Sequence, residues 1–278
     1  MRAANLIIVI LGIIGLGSAV VIAWLWRSLP LLAERQPAAE SRSAGALDGL
    51  HTLAVTMSAG VLAGVLVPGF GGRLVMRILG ATSSSAQGQR TAANEIVGEI
   101  TNGGTVGVIV FVGILGGVVT ALGFLVVRRW LPTNAGPAGL VVGVLLLGTI
   151  GVSDAMSPDN KDFAILRPTW LAVTLVVTLA LLFGVTFTAI AARLDAGIPR
   201  LGTGPSSVVS HVALVFYLFP VLLVGAAIYI TAKATSHGRL APLLMSTRVR
   251  RVGHFIVGGA TVGATVSSVL AISEIVTA

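Results

Sequence analysis

Residues Gly104–Val127 read GTVGVIVFVGILGGVVTALGFLVV. The stretch contains no Asp, Glu, Lys, Arg or Pro, and Thr105 and Thr120 are its only polar side chains. About twenty mostly apolar residues rise roughly 30 Å as a helix, the thickness of a bilayer's hydrocarbon core. The alternation of a barrel strand is missing, and lipid offers no water to satisfy an unstructured backbone. The stretch predicts a membrane-spanning α-helix.

Working outward, six further runs repeat the pattern: Asn5–Trp26, Leu50–Phe70, Ala138–Val152, Trp170–Ala192, Val208–Thr231 and Val252–Ile272. None holds an Asp, Glu, Lys or Arg. The fourth in chain order, Ala138–Val152, is short and is expected to recruit its flanks. The first exceeds the 7–15 residues of a signal-peptide core, so a retained helix is expected rather than cleavage near Ala44-Gly45-Ala46. The expected fold is an all-α integral membrane bundle of about seven transmembrane helices (six to eight), one transmembrane domain over 1–278. Polar loops are expected at about 27–49, 80–103, 153–168 and 232–251.

Composition agrees. The chain has 278 residues, of which 55% are hydrophobic and 10% charged, with a mean hydropathy of +0.98. Soluble domains carry roughly 25% charged residues, and a soluble fold of this size could not hide so much apolar surface. Cysteine is absent, which excludes disulfides and thiolate chemistry. The net charge of +8 is dispersed between apolar runs. It points to the lipid bilayer and its anionic lipid headgroups as partners, not to nucleic acid.

The basic residues also predict orientation. Seven spans put Arg2, Arg73, Arg77, Arg90, Lys161, Arg167, Lys233, Arg239, Arg248, Arg250 and Arg251 on one side. Arg27, Arg35, Arg42, Arg128, Arg129, Arg193 and Arg200 fall on the other, eleven against seven. The rule that loops rich in Lys and Arg stay inside then predicts a bacterial cytoplasmic membrane protein with its N-terminus inside and C-terminus outside.

Small residues recur at helical spacing: Gly60 and Gly64, Gly139 and Gly143, Gly259 and Gly263. Gly113, Gly116, Gly117, Thr120 and Gly123 share one face of the third run. Helices in lipid associate through close backbone contact across such stripes. The stripes therefore pack a single-chain bundle, or one of them seals a homo-oligomer or lines a pore.

Charged chemistry concentrates in two segments. PGFGGRLVMRILG, residues 68–80, sets Arg73 and Arg77 one helical turn apart, and NEIVGEITNGG sets Glu95 and Glu99 at the same spacing. A turn back toward the membrane pairs guanidiniums with carboxylates, against the simpler reading of headgroup anchoring and solvated carboxylates. The stretch Gly71–Pro132, with GGRLVMR, VGEITNGGT and the exit RRWLP, resembles a group of uncharacterised bacterial polytopic membrane proteins. The resemblance implies the membrane class and carries no activity.

Other constellations are weaker. Pro220 should kink the sixth run by removing the amide that would bond Phe216, and His211 is one of its few ionisable groups; together they mark a candidate pathway. Pro68 is expected to act similarly near the end of the second run. Ser153 in GVSD with His211 resembles the serine–histidine pair of rhomboid-type proteases, but Asp154 stands where a glycine is required. Asp154, Asp159 and Asp162 lack the spacing of a calcium loop, and His51, His237 and His254 make no metal pair. No cofactor is expected, and no motif favours an enzyme. All ten acidic residues lie outside the apolar runs, which disfavours ion-coupled pumping. The reading leans to a small-solute transporter or channel-like protein, the alternative being a non-catalytic structural or interaction subunit.

Overall fold

The computed structural model describes residues 3–31, 42–92, 94–97, 101–155, 157, 160–198 and 247–277. Their regular structure is helical, with two isolated β-bridges and no sheet among them. Among the described residues, five helices are long and apolar enough to cross a membrane: His51–Thr82, Gly103–Trp130, Ala135–Val152, Thr169–Gly197 and Arg251–Val276. Ile10–Trp26 is a shorter apolar stretch. The sixth run, 208–231, lies outside the described residues, and with it His211 and Pro220.

Helix α1 spans Ala3–Trp26 and ends where Arg27 to Pro30 break the apolar pattern. Its exit segment caps another helix: the amides of Ala135 and Gly136 donate to the carbonyls of Leu29 (2.9 Å) and Arg27 (2.8 Å). Those amides open α6, Ala135–Leu146, whose own cap residue Asn134 makes no side-chain bond. An orphan helix start is thus satisfied by a neighbouring loop.

Helix α2, Arg42–Gly64, does not stop at Pro68. It widens into a π-helical segment, Val65–Gly71, and continues as α3, Gly72–Thr82. Proline removes one amide from the ladder, and the wider turn lets the helix pass it. Arg73 and Arg77 therefore lie on a continuing helix and not in a loop. The third span is built alike: α4, Asn102–Gly107, a π segment, Val108–Leu115, and α5, Gly116–Val127. Helix α6 runs into a third π segment, Leu147–Ala155, which supplies the length that Ala138–Val152 lacked. A short α7, Lys161–Ile165, precedes α8, Thr169–Gly197, and the described chain closes with α9, Thr247–Thr277.

Helix α2 is the centre of the bundle, with every residue from His51 to Val61 buried. It meets α5 and the π segment before it through glycine. A Cβ on Gly60 or Gly64 would run into the carbonyls of Gly117 or Gly113. On α6 and α8 a Cβ on Gly184 would meet the carbonyl of Gly139 and lie 2.6 Å from the amide nitrogen of Gly143. Around these seams Met57, Val67, Phe124, Phe183 and Phe187 form the apolar core, Phe124 and Phe187 edge to face at 5.1 Å.

Two ends of the bundle differ. At one, Arg27 lies over Trp24 (4.9 Å), Arg129 over Trp130 (4.6 Å) and Arg193 over Trp26 (5.9 Å). His51, fully buried, pairs there with Asp195 across α2 and α8 at 3.2 Å. At the other, the described residues of 83–97 and 157–168 form a cap of loops and short helical turns, with Trp170 exposed beside it. The seven-run count expects the chain's two ends on opposite sides. Helix α9 departs from it: Gly253 lies against the Trp130 ring, Ala264 against Gly148, and Ile275 packs with Val75, Leu79 and Phe163. It therefore descends from the tryptophan end to the capped end, where α1 begins.

Candidate functional site: an apolar cavity between three wide turns and a charged cap

The charged cap grows from the loop after α3. Asn94 takes a positive φ of 62°, which Asn tolerates better than most residues, and Thr91 and Glu95 close the turn. The Thr91 amide donates to the Glu95 carbonyl (2.9 Å), and the Glu95 amide donates to Thr91 Oγ1 (3.1 Å). The Glu95 carboxylate accepts from Thr101 Oγ1 (2.9 Å), and Thr101 in turn caps the third span by accepting from the Gly104 amide (3.0 Å).

Arg73 faces this arrangement. It is 7% exposed, and its Nε and Nη2 are buried without a hydrogen-bond partner among the described residues. A Cβ on Gly104 would lie 2.5 Å from Arg73 Nη2 and 2.6 Å from Glu95 Oε1. The guanidinium and the carboxylate thus stand on either side of a missing side chain. Arg77 lines a neighbouring polar cleft of about 530 Å³ with Gly80, Ala81, Gln87, Gly88, Ile96 and Val97. Glu99 lies outside the described residues, as does Asp159; the side chains of Ser153 and Asp154 do too.

The two segments of the cap are bonded to each other ahead of α8. Ser83, 1% exposed, donates to the Arg167 carbonyl (2.6 Å) and accepts from the Arg167 amide (2.8 Å). The Ala92 amide donates to Asp162 Oδ1 (2.7 Å).

Between the ends, the three π segments converge on one cavity of about 200 Å³. Pro68 comes from the first, Val112 from the second, and Leu147, Ile150 and Gly151 from the third. Gly116, Thr120, Leu146, Val176, Leu179, Ala180 and Phe183 complete the wall. π-turns inside α-helices occur often at functional sites. The wall carries no ionisable group, and its one hydroxyl, Thr120 Oγ1, donates to the Gly116 carbonyl at 2.8 Å.

The buried hydroxyls elsewhere behave alike. Thr56 donates to the Thr52 carbonyl (2.6 Å) and Ser58 to that of Ala54 (2.8 Å), each one turn back on its own helix. Thr188 reaches across to the Ala135 carbonyl on α6 (2.8 Å). They serve helix backbone and packing, and none of them faces the cavity.

Compared with protein-family models, curated proteins and solved structures, the chain matches none. Any functional reading therefore rests on the geometry of the cavity and the cap.

Sequence reasoning singled out the segments of the cap, including Thr101 and Gly104 in VGEITNGGT, but not their joint role around Arg73. It missed the cavity. The available signal was a glycine or proline in each of three spans at comparable depth: Pro68, Gly113 with Gly116, and Gly148 with Gly151.

Proposed function

We propose that this chain is an integral protein of the bacterial cytoplasmic membrane whose bundle holds or passes an apolar or amphiphilic small molecule. The membrane part is supported by five apolar helices of spanning length, with tryptophan and arginine stacked at one end, as interfacial side chains are at bilayer boundaries. The observation that carries the functional part is the cavity: its wall has no ionisable group, and its one hydroxyl, on Thr120, already donates to the Gly116 carbonyl. A path for ions or sugars needs wet, unsatisfied groups, and this wall offers none.

The orientation proposed takes account of α9. The tryptophan end gathers Arg27, Arg42, Arg128, Arg129, Arg193, Arg248, Arg250 and Arg251. The capped end has Arg73, Arg77, Arg90, Lys161 and Arg167, eight against five among the described residues. The basic-side rule then puts the tryptophan end in the cytoplasm and both described chain ends across the membrane.

The test is reconstitution into vesicles. Passage of a fluorescent short-chain lipid between leaflets should quicken, with no rise in proton or potassium leak. Ion leak with unchanged lipid passage would overturn the reading.

One observation favours a second reading, a structural or interaction subunit. Gly259 and Gly263 on α9 have nothing within 4 Å of where a Cβ would stand. That small-residue stripe is open to another helix.

A further inference from the structure

We propose that the cavity between the three π segments takes one hydrocarbon chain of a membrane lipid, entering sideways from the bilayer. The inference rests on the membrane reading above, but not on any transport activity.

Three observations identify the occupant. First, the cavity opens laterally: Val112 and Ile150 line it, yet are 53% and 49% exposed on the outside of the bundle. They continue into an exposed apolar belt with Phe111 (67%), Leu115 (47%) and Val119 (55%). The mouth therefore faces the medium that touches that belt, and in a membrane that medium is lipid hydrocarbon. Second, water is a poor tenant. A buried water needs two to four polar partners, and the only hydroxyl in the wall already donates to Gly116. Third, the size fits a stretch of chain. An apolar cavity of about 150 Å³ in a soluble protein stays dry and accepts benzene, and this one is about 200 Å³.

A π-turn holds more residues per turn than the α-helix around it, and residues of all three π segments stand in the wall of this space. Gly116 keeps the mouth clear: a Cβ there would have its nearest neighbour, the Phe111 carbonyl oxygen, at 4.0 Å.

The test uses the full chain in vesicles of phosphatidylcholine and phosphatidylglycerol carrying a diazirine midway along one acyl chain. After irradiation, adducts are mapped by mass spectrometry. Adducts are expected on the wall residues Thr120, Leu147 and Val176 as well as on the belt. Gly116→Leu fills the mouth from an open position and should abolish the wall adducts, keeping the belt adducts and the melting temperature. Gly151→Val, whose Cβ would meet only ordinary contacts at 3.5 Å, is the second filling variant should the first fold poorly. Belt adducts without wall adducts would overturn the inference and leave the membrane reading standing, whether the space holds residues 208–231, a second copy or nothing. Wall adducts that survive both filling variants would overturn it as well. Absence of adducts from the belt too would bring down the membrane reading itself.

Discussion

Gly64 and Gly113 meet backbone to backbone: a Cβ on Gly113 would lie 2.9 Å from the carbonyl oxygen of Gly64, and one on Gly64 would collide with the carbonyl of Gly113. Gly60 and Gly117 repeat the contact one turn away. In lipid, where no hydrophobic force draws helices together, such proximity supplies the dispersion contact that does.

Gly64→Ala should therefore destabilise the bundle by about 1–3 kcal/mol, the usual cost of overpacking. Gly123, on α5 with Gly117, would have nothing within 4 Å of its Cβ. Gly123→Ala should be neutral or stabilising by about 0.5–1 kcal/mol, because alanine prefers the helix. Thermal unfolding in detergent compares them; equal effects at both sites would refute the seam.

How much of this was legible beforehand differs from residue to residue. The stripes of Gly60 with Gly64 and of Gly113 with Gly117 are visible as periodicity, because helical spacing alone puts them on one face. Which stripe meets which is not, since every stripe uses the same small-residue alphabet. The π-turns are invisible for a different reason: apolarity fixes which residues avoid water but not which carbonyl an amide chooses. Pro68 consequently reads as a kink near the end of its run, and the structure carries the helix past it in a π segment on the way to Arg73. The direction of α9 depends on how the chain travels from Ile198 to Thr247, and one apolar run between them does not fix it.

Arg73 and Glu95 supply the second prediction. Removing Glu95 takes away the carboxylate that faces the buried Arg73 guanidinium across Gly104, so Glu95→Ala should cost about 3–5 kcal/mol. Arg73→Ala with Glu95→Ala should cost clearly less than the two singles added, because the second change removes the stranded charge. Small additive effects, under about 1 kcal/mol each, would mean the two charges merely anchor at a surface. Denaturation of the three variants in detergent decides.

Ser83 offers a local test of the cap. Its hydroxyl satisfies both the amide and the carbonyl of Arg167, so Ser83→Ala leaves two backbone groups unpaired at once. A loss of about 1–3 kcal/mol is expected. Hydrogen exchange should quicken at the Arg167 amide while the α6 and α8 amides around Gly139 and Gly184 stay protected. Unchanged exchange at Arg167 would show that the clamp does not hold the loops.

The last prediction concerns the way the bundle faces, and it turns on α9. Had that helix started at the capped end, Arg248, Arg250 and Arg251 would add to Arg73 and Arg77, and the capped end would be the more basic. Gly253 against Trp130 instead assigns them to the tryptophan end. Basic residues are retained on the cytoplasmic side, so moving three of them reverses the expected orientation as well as the side of the C-terminus. The chain has no cysteine, which makes single-cysteine labelling of intact cells direct. Ser28 and Thr133 are exposed at the tryptophan end, Ser85 and Gln87 at the capped end. A membrane-impermeant thiol reagent should label Ser85→Cys, Gln87→Cys and a cysteine appended after Ala278, and spare Ser28→Cys and Thr133→Cys. If the appended cysteine and Gln87→Cys read opposite sides, the direction of α9 is wrong. If the two agree but only Ser28→Cys and Thr133→Cys are labelled, the helix arrangement stands, and the buried Arg73 with its neighbours outweighs the larger basic count at the other end.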